Sequence, residues 1–463
     1  MTTRPSEDGK WVWHEAAELT IEGKGWLDTE RPFDRLPARA KNLVREPVWN
    51  LSRNSAGLCI HFIADAPAIA ARWTLTSNNL SMAHMPATGM SGLDLYVRED
   101  LGWPNIQVDP RRGPSWKWIG AGRPSARTNE ATLVAHMPAT THEFLLYLPL
   151  YNGVESLQIG VPPGYGIARL VPRRDKPVVF YGTSITQGGC ASRPGMAYPA
   201  ILGRRLNRAT INLGFSGNGR MDPELADLLG EIDAAGYVLD CLPNMKMDMI
   251  AERVEPFILA LRRHRPTTPI ILVESVTYPA QRFVADPATS CFAQNRLLRR
   301  IYDRLTARGV AGLHYMPGTG LYGNDGEATV DGCHATDLGF LRFADGLEPL
   351  LRQVLIDRAH RELSVEEIER VAGKYHKWRS KDKKGYEDVA GFCKGVNVDE
   401  IRQHGHVLTP GRYVGAEDVE DDGEPFSEKM SRLVSTLGEH FKESARLEKV
   451  IWSDLKELGY DQG

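Results

Sequence analysis

One serine and one aspartate–histidine pair lie where the sequence could perform nucleophilic catalysis. Ser184 comes just after the apolar run Val178–Tyr181, at the start of a predicted helix. The free N–H groups and the positive end of the helix dipole stabilise an alkoxide or an oxyanion at a helix start; the alternative is that Ser184 only caps the helix. Asp331 and His334 lie three residues apart, further along the chain. A histidine whose tautomer is fixed by a carboxylate is the base that a serine nucleophile requires.

Other chemistry is open to the same region. Asp331 and His334 could bind a metal ion, but no third and fourth ligand follows at a suitable spacing, so we expect no metal. The glycine-rich segment Asn212–Gly219 lets a backbone N–H approach a reacting centre. Asn244 offers a side-chain amide as an oxyanion donor. Taken singly, each of these two segments could equally be an ordinary turn.

The elements around these residues alternate between strand and helix. Short apolar runs predict parallel strands at Val178–Tyr181, Thr210–Leu213, Tyr237–Leu239, Ile270–Val273 and Leu313–Tyr315. Helices are predicted between them, over Tyr198–Leu206, Pro223–Leu229, Ile250–Arg263 and Asn295–Ala307. This alternation predicts an α/β domain at 175–358 with helices on both faces of a parallel sheet. The carboxyl edge of such a sheet is where sites lie.

In this order, each after a strand, the four segments resemble those of the SGNH/GDSL hydrolases. The resemblance implies a three-layer α/β/α domain without a cofactor. It implies Ser184 as nucleophile, His334 as general base and Asp331 as the residue that orients His334. It also implies an oxyanion hole formed by the Ser184 N–H, the Gly217 N–H and the Asn244 amide.

Two positions depart from the pattern of that family. The residue before the serine is Thr183 in place of the usual aspartate. Because this position carries none of the catalytic roles, we expect altered local hydrogen bonding with activity retained. Asn244 lies in Leu-Pro-Asn-Met, not in the commoner Gly-x-Asn-Asp, which puts the oxyanion geometry in question.

Residues 1–174 predict a β-sandwich or jelly roll, because apolar residues alternate in several short runs. The region resembles the jelly-roll domain that precedes some SGNH hydrolases, including carbohydrate esterases. Trp116 and Trp118 could stack on sugar rings or could simply pack. The hexapeptide Ala-His-Met-Pro-Ala-Thr occurs at 83–88 and again at 135–140, which we interpret as coincidence or a shared turn geometry.

Residues 359–463 differ in composition from the rest of the chain. Residues 361–463 are rich in charge, because they hold 17 of the 56 basic and 22 of the 59 acidic residues of the chain. The whole chain has a net charge of −3. The net charge excludes a global basic field that would recruit nucleic acid or an anionic membrane. Within the tail, Lys374–Lys384 is a cationic run that is either a solvated face or a phosphate contact. The tail is predicted to be mainly helical, with a long helix over about 425–458 that carries an apolar stripe from Met430 to Leu458.

The tail resembles the C-terminal end of the modification subunit of type I restriction–modification systems, through Tyr386–Lys394 and His406–Gly415. The resemblance implies a helix that contacts a specificity subunit. No Asn/Asp-Pro-Pro-Tyr/Phe motif occurs, and no glycine-rich loop fits a methyl donor. We therefore expect no DNA methylation and no direct nucleic-acid partner. The stripe on the long helix is the expected site for a protein partner or for self-association.

Together these observations predict a serine esterase for small, acetyl-like acyl esters, with a small molecule or a carbohydrate as substrate. The alternatives are an acyltransferase with the same triad, or an interaction protein whose tail docks a restriction-system subunit. No apolar stretch is long enough to span a bilayer. Residues 1–14 lack the apolar core of a signal peptide, so we expect a cytoplasmic protein.

Overall fold

The computed structural model describes residues 3–99, 115–278, 283, 291–355, 365–380, 385–407, 411–415, 430 and 446. The chain divides into two compact units, Met1–His360 and Arg361–Gly463, and each is described by itself. No helix among the described residues is both long and apolar enough to cross a membrane.

The first half of the larger unit is a sandwich of two antiparallel sheets. Its strands are β1 (Thr3–Pro5), β2 (Val12–Glu15), β3 (Thr20–Glu22), β4 (Cys59–Ala64), β5 (Ile69–Leu75), β6 (Leu93–Glu99), β7 (Ser115–Gly122), β8 (Thr128–Val134), β9 (His142–Tyr147), β10 (Val154–Val161) and β11 (Ile167–Arg169). One sheet has the order β1-β2-β10-β5-β8, and the other has the order β11-β4-β9-β6-β7 with β3 beside β4. Among the described residues of the sandwich, two short α-helices interrupt the strands, α1 (Glu46–Ser52) and α2 (Ala87–Met90). The predicted β-sandwich is confirmed.

The sandwich is held by residues that alternate along each strand. On β5, Ile69, Ala71 and Trp73 are fully buried and belong to the core between the sheets. On β9, Phe144 enters the same core and stacks on Phe62 of β4 with ring centroids 5.2 Å apart. Alternation follows from the strand period of two, which sends every second side chain to one face.

The second half is a five-stranded parallel sheet. Its strands are β12 (Val178–Gly182), β13 (Thr210–Gly214), β14 (Gly236–Asp240), β15 (Ile270–Val273) and β16 (Leu313–Met316), in the order β13-β12-β14-β15-β16. Its helices are α3 (Ser184–Gln187), α4 (Tyr198–Arg205), α5 (Pro223–Glu231), α6 (Met247–His264), α7 (Cys291–Ala307) and α8 (Asp337–Leu355). β12 lies between β13 and β14, so the chain reverses direction across the sheet there, which creates the crevice where such sheets bind ligands.

Both faces of this sheet are covered, as expected for a parallel sheet. Val179 and Tyr181 of β12 pack with residues of α5, α6 and α7, whereas Val178 and Phe180 pack with residues of α4 and α8. The predicted three-layer α/β/α arrangement is confirmed.

The segment before β4 contributes to the core of the parallel sheet. Leu36, Val48 and Trp49 are buried in the same apolar cluster as Tyr181 and Leu225. The larger unit therefore packs as one body across the sandwich and the parallel sheet. A domain boundary at 174/175 stays a prediction.

The smaller unit contains three described helices: α9 (Val365–Arg379), α10 (Val398–Gln403) and α11 (Gly411–Val414). Asn397 caps α10, because its side chain accepts a hydrogen bond from the backbone N–H of Glu400. The helix predicted over 425–458 lies outside the described residues, except for Met430 and Arg446. The cationic run is described at Lys374, Lys377 and Arg379, on α9.

Candidate active site

Ser184 lies at the carboxyl edge of the parallel sheet, as its position in the sequence predicts. It begins α3, directly after β12 and Thr183. The Thr183 hydroxyl accepts a hydrogen bond from the Ile185 N–H at 3.2 Å, so this threonine caps the helix. At Thr183, where altered local hydrogen bonding is expected, the threonine hydroxyl thus forms the cap of α3. Because α3 has only four residues, its helix dipole at Ser184 is small. The N–H groups at the start of α3 are therefore the donors that remain for an oxyanion.

The structure joins Ser184, His334 and Asp331 in one hydrogen-bonded chain. The Ser184 Oγ lies 3.0 Å from the His334 Nε2, although the residues are 150 positions apart. The His334 Nδ1 lies 2.7 Å from the Asp331 Oδ2. These distances suit proton transfer from a hydroxyl to an imidazole that a carboxylate orients. Ser184 is only 7% exposed, so little of the residue is open to solvent.

Asp331 is fixed as an ionised acceptor by the turn that carries it. Its Oδ1 accepts the backbone N–H groups of Cys333 and His334, at 3.0 and 2.7 Å. Partial burial raises the pKa of Asp331, but hydrogen bonds from the His334 ring and from these two N–H groups outweigh it and lower the pKa to about 2. Gly332 turns the chain at φ 87°, a conformation that glycine adopts without strain.

The structure supports the predicted oxyanion donors Asn244 and Gly217 to different degrees. The Oδ1 of Asn244 accepts the Gly219 N–H at 3.2 Å, which fixes the orientation of the amide and leaves its N–H groups for another acceptor. A β-carbon on Gly219 would collide with the carbonyl of Gly182, so Gly219 packs on the backbone just before Ser184. Gly217 lies on the same turn at φ 68° and is exposed. No described contact joins Gly217 to Ser184, and its role stays a prediction.

A buried carboxyl group lies behind the nucleophile. The Asp240 Oδ2 at the end of β14 accepts hydrogen bonds from the hydroxyls of Thr186 and Tyr198, at 2.9 and 3.1 Å. Burial raises the pKa of Asp240 to about 7, against the opposing effect of these two hydrogen bonds. The sequence assigns no role to Asp240, which directly follows the strand predicted at Tyr237–Leu239.

A buried arginine from the N-terminal segment supports the glycine-rich turn. The Arg35 guanidinium donates to the carbonyl oxygens of Asn212 and Gly214 at 3.0 and 2.8 Å, and to those of Leu51 and Asn54 at 2.7 and 2.8 Å. Arg35 is 1% exposed, and burial lowers its pKa. Four carbonyls thus satisfy a buried cation that lacks a carboxylate contact among the described bonds.

Asp94 connects the sandwich to the loop that follows Ser184. Its Oδ2 accepts the Gly195 N–H and an Arg193 N–H, both at 2.8 Å, and its Oδ1 accepts the Trp118 Nε1–H at 2.6 Å. Arg193 also lies 5.0 Å from the centroid of the Trp118 ring. Trp116 packs edge-on against His61. These contacts favour packing for Trp116, whereas Trp118 remains 49% exposed despite its contacts with Asp94 and Arg193.

The first copy of the repeated hexapeptide reaches the active site. His84 is exposed, and its ring centroid is 5.6 Å from that of His334. The two copies have different backbones: His136 of the second copy has φ 63°, whereas His84 does not have a positive φ. A shared turn geometry is therefore wrong, and nothing in the sequence separates the two copies by function.

A cavity of about 430 Å³ opens elsewhere at the sheet edge, beside Glu274, Asn295 and Thr319. None of the predicted site residues lines it. The candidate active site is therefore defined by the side-chain geometry of Ser184, His334 and Asp331, and not by this cavity.

Comparisons with known proteins agree with this architecture. The model of the GDSL-like lipase/acylhydrolase family matches residues 175–352, and a model of the N-terminus of SGNH-hydrolase-type esterases matches residues 10–167. A crystal structure assigned to a GDSL-like lipase from Bacteroides ovatus is 35% identical, with a TM-score of 0.69, and the match covers 74% of this chain and 98% of that chain. The chain belongs to the GDSL-like lipase/acylhydrolase family. The Gly-x-Asp-Leu-Tyr signature of the N-terminal model lies at 92–96 and includes Asp94.

This GDSL-like chain also shares its fold with the salicylyl-acyltransferase SsfX3 from a tetracycline biosynthetic pathway. The identity is 16% and the TM-score 0.54, over 77% of this chain and 93% of that chain. At this identity the likeness shows the fold alone.

The end of the chain is similar to a different group of proteins. The N-6 DNA methylase family model matches residues 351–422. The methylase subunit of the type I restriction enzyme HindI from Haemophilus influenzae is 47% identical over 105 residues. That match covers 23% of this chain and 23% of the subunit, so most of the subunit has no counterpart in this chain.

Proposed function

We propose that the chain is a serine esterase in which Ser184 is the nucleophile, His334 the general base and Asp331 the residue that orients it. One observation supports this most directly: the chain of hydrogen bonds from the Ser184 Oγ through the His334 ring to the Asp331 carboxylate, at 3.0 and 2.7 Å. Membership of the GDSL-like lipase/acylhydrolase family agrees with it.

In the proposed reaction, the Ser184 Oγ attacks the carbonyl carbon of the ester while its proton moves to the His334 Nε2. The negative oxygen of the tetrahedral intermediate is held by the N–H groups of Ser184, Gly217 and Asn244. The ester C–O bond then breaks, and His334 returns the proton to the leaving alcohol. Water, deprotonated by His334, releases the acid from the acyl-enzyme and restores the Ser184 hydroxyl.

The proposed substrates are esters with small acyl groups. Ser184 is 7% exposed, which favours an acetyl-like group over a bulky one. A carbohydrate as the alcohol is an inference by analogy with sandwich-bearing esterases of this family. An acyltransferase would use the same three residues, with an acceptor alcohol in place of water.

The test is hydrolysis of p-nitrophenyl acetate, followed by a screen of acetylated sugars and of esters graded in chain length. We expect Ser184→Ala to lower kcat by about 10³-fold or more, whereas Ser156→Ala, an exposed serine on β10, should retain the wild-type rate. Equal rates for Ser184→Ala and the wild type would refute the mechanism. Adding an acceptor alcohol distinguishes the transferase: acyl transfer that exceeds hydrolysis would favour that activity.

We further propose that the smaller unit docks a protein partner, specifically a specificity subunit of a type I restriction system. The support is the 47% identity to a methylase subunit over 105 residues, together with an exposed apolar face on α9. Ile368, Val371, Tyr375 and Trp378 are 40–48% exposed and recur at helical spacing. Such a face usually contacts another surface.

Co-purification of the full chain with such a specificity subunit tests this second proposal. The double variant Ile368→Glu and Tyr375→Glu should abolish binding, whereas Glu369→Gln on the same helix should leave it unchanged. Self-association of the full chain that the double variant removes, without capture of the subunit, would instead assign the α9 face to a second copy.

A further inference from the structure

Three side chains with metal-binding atoms meet beside Ser184. His84 comes from the sandwich, Cys190 from the loop after α3, and His334 from the turn before α8. One ligand atom from each lies within 4.8 Å of the other two. The hydrogen bonds described above use only His334 of the three, so two potential ligands lie beside the proposed base with no role in the proposed esterase mechanism.

The chemistry of the three groups selects the kind of ion. Two imidazoles and one thiolate suit Zn²⁺ and similar borderline ions, whereas Mg²⁺ and Ca²⁺ prefer oxygen ligands. The His334 Nδ1 faces the Asp331 carboxylate at 2.7 Å, which leaves Nε2 to bind a metal. A histidine whose other nitrogen donates to a carboxylate is the usual arrangement of a zinc ligand. The contact that prepares His334 as a base therefore also prepares it as a ligand.

We propose that His84, Cys190 and His334 form an inhibitory site for Zn²⁺ or a similar ion. The ion binds the Nε2 lone pair that would otherwise accept the Ser184 proton, and the proton of the Cys190 thiol passes to solvent. Ser184 then has no base, so hydrolysis stops until the ion leaves. The inhibitory consequence rests on the proposed esterase function, whereas metal binding itself does not.

The geometry allows this site with a small movement. Bonds of about 2.0–2.3 Å in a tetrahedron place ligand atoms roughly 3.3–3.8 Å apart. The present separations are within 4.8 Å, so they need to shorten by roughly 1.5 Å at most. His84 is exposed and can move toward the other two ligands. Cys190 is held at φ 75°, an uncommon conformation for a residue other than glycine, and such conformations cluster at functional sites.

Direct binding is measured first, by Co²⁺ titration of the untagged full chain. We expect one equivalent of Co²⁺ to give a near-ultraviolet thiolate charge-transfer band, which Zn²⁺ abolishes by displacement. His84→Ala should weaken Co²⁺ binding by about tenfold or more, because it removes one of three ligands, and Cys190→Ser should remove the band. Absence of the band in the wild type, or wild-type binding by both variants, would overturn the proposal.

Inhibition is measured second, with p-nitrophenyl acetate. Zn²⁺ should inhibit the wild type, a chelator should restore the rate, and Mg²⁺ should have no effect. His84→Ala and Cys190→Ser should keep the basal rate within about twofold and require about tenfold more Zn²⁺ for inhibition. Zn²⁺ inhibition that both variants retain would overturn the site. If no variant hydrolyses the ester, the esterase proposal fails while the Co²⁺ titration still decides the metal site.

Discussion

Asp331 holds His334 at two points with its two oxygens. Oδ2 faces the ring Nδ1 at 2.7 Å, and Oδ1 accepts the backbone N–H of the same residue at 2.7 Å. The backbone contact fixes the turn, and the ring contact fixes the tautomer in which Nε2 is unprotonated and faces Ser184. The two functions of the carboxylate can therefore be separated by substitution.

Asp331→Asn should separate them. The asparagine Oδ1 can still accept the His334 N–H, but its amide would present N–H groups to Nδ1 and favour the wrong tautomer. We expect kcat to fall by about 10³–10⁴-fold while the melting temperature changes little. The matched control is Asp325→Asn, on a neighbouring turn, which removes an exposed ion pair with Arg342. This variant should keep its activity. Comparable rates for the two variants would contradict the assigned role of Asp331.

Asn244 offers a second test, because one of its amide atoms is already engaged. The Oδ1 accepts the Gly219 N–H at 3.2 Å, so Asn244→Asp retains an acceptor for Gly219 but loses the proposed oxyanion donor. We expect Asn244→Asp and Asn244→Ala both to lower kcat by about 10²–10³-fold with little change in KM. Asn78→Ala, at an exposed position in the sandwich, should match the wild type. A change confined to KM would assign Asn244 to substrate binding instead.

Arg35 is expected to matter for stability. Replacing it with methionine removes a donor from the carbonyls of Leu51, Asn54, Asn212 and Gly214, of which the Leu51 carbonyl keeps the Asn54 N–H. Since each unsatisfied buried acceptor costs about 1–3 kcal/mol, we expect Arg35→Met to lower the free energy of unfolding by at least about 3 kcal/mol. Arg39→Met, which removes exposed ion pairs, should cost less than about 1 kcal/mol. Urea unfolding of both variants measures the difference, and equal losses would rule out a special role for Arg35.

Local signals predict much of this molecule. The strand before Ser184 is a run of apolar residues, and the structure places it as β12, buried along its whole length. The resemblance to the SGNH/GDSL hydrolases implies that Ser184 and His334 act together, and their side chains lie 3.0 Å apart. The strand follows from periodicity alone, whereas the pairing of Ser184 with His334 comes from the resemblance to that family.

The remaining features depend on packing between distant segments. His84 reaches His334, and Arg35 reaches the glycine-rich turn, from a part of the chain whose own pattern indicates only strands and turns. The repeated hexapeptide contains both His84 and His136, so the sequence does not distinguish between them. Only a tertiary contact shows that His84 lies beside His334. The sequence also leads us to expect a larger helix dipole at Ser184 than α3 provides. It indicates where α3 begins, but not that this helix ends at Gln187 after only four residues.

The buried carboxyl of Asp240 predicts a dependence of stability on pH. Its pKa in the folded protein is about 7, raised from an ordinary value of 3.8 chiefly by burial. The folded state therefore holds this proton more tightly than the unfolded chain does, so the contribution is complete below about pH 4 and is lost as the pH rises to about 7. From this group alone, we expect the protein to be roughly 2–3 kcal/mol less stable at pH 8 than at pH 5.

Asp240→Asn isolates that contribution, because the amide is neutral at both pH values and its oxygen can still accept hydrogen bonds from Thr186 and Tyr198. The variant should lose the difference in stability between pH 5 and pH 8 that Asp240 causes, and it should be more stable than the wild type at pH 8. Asp248→Asn, an exposed carboxyl in the first turn of α6, should keep the wild-type dependence. Urea midpoints of the three proteins at both pH values give the comparison. An identical pH dependence in Asp240→Asn and the wild type would mean that Asp240 ionises as an ordinary carboxyl group and that its burial does not hold it neutral.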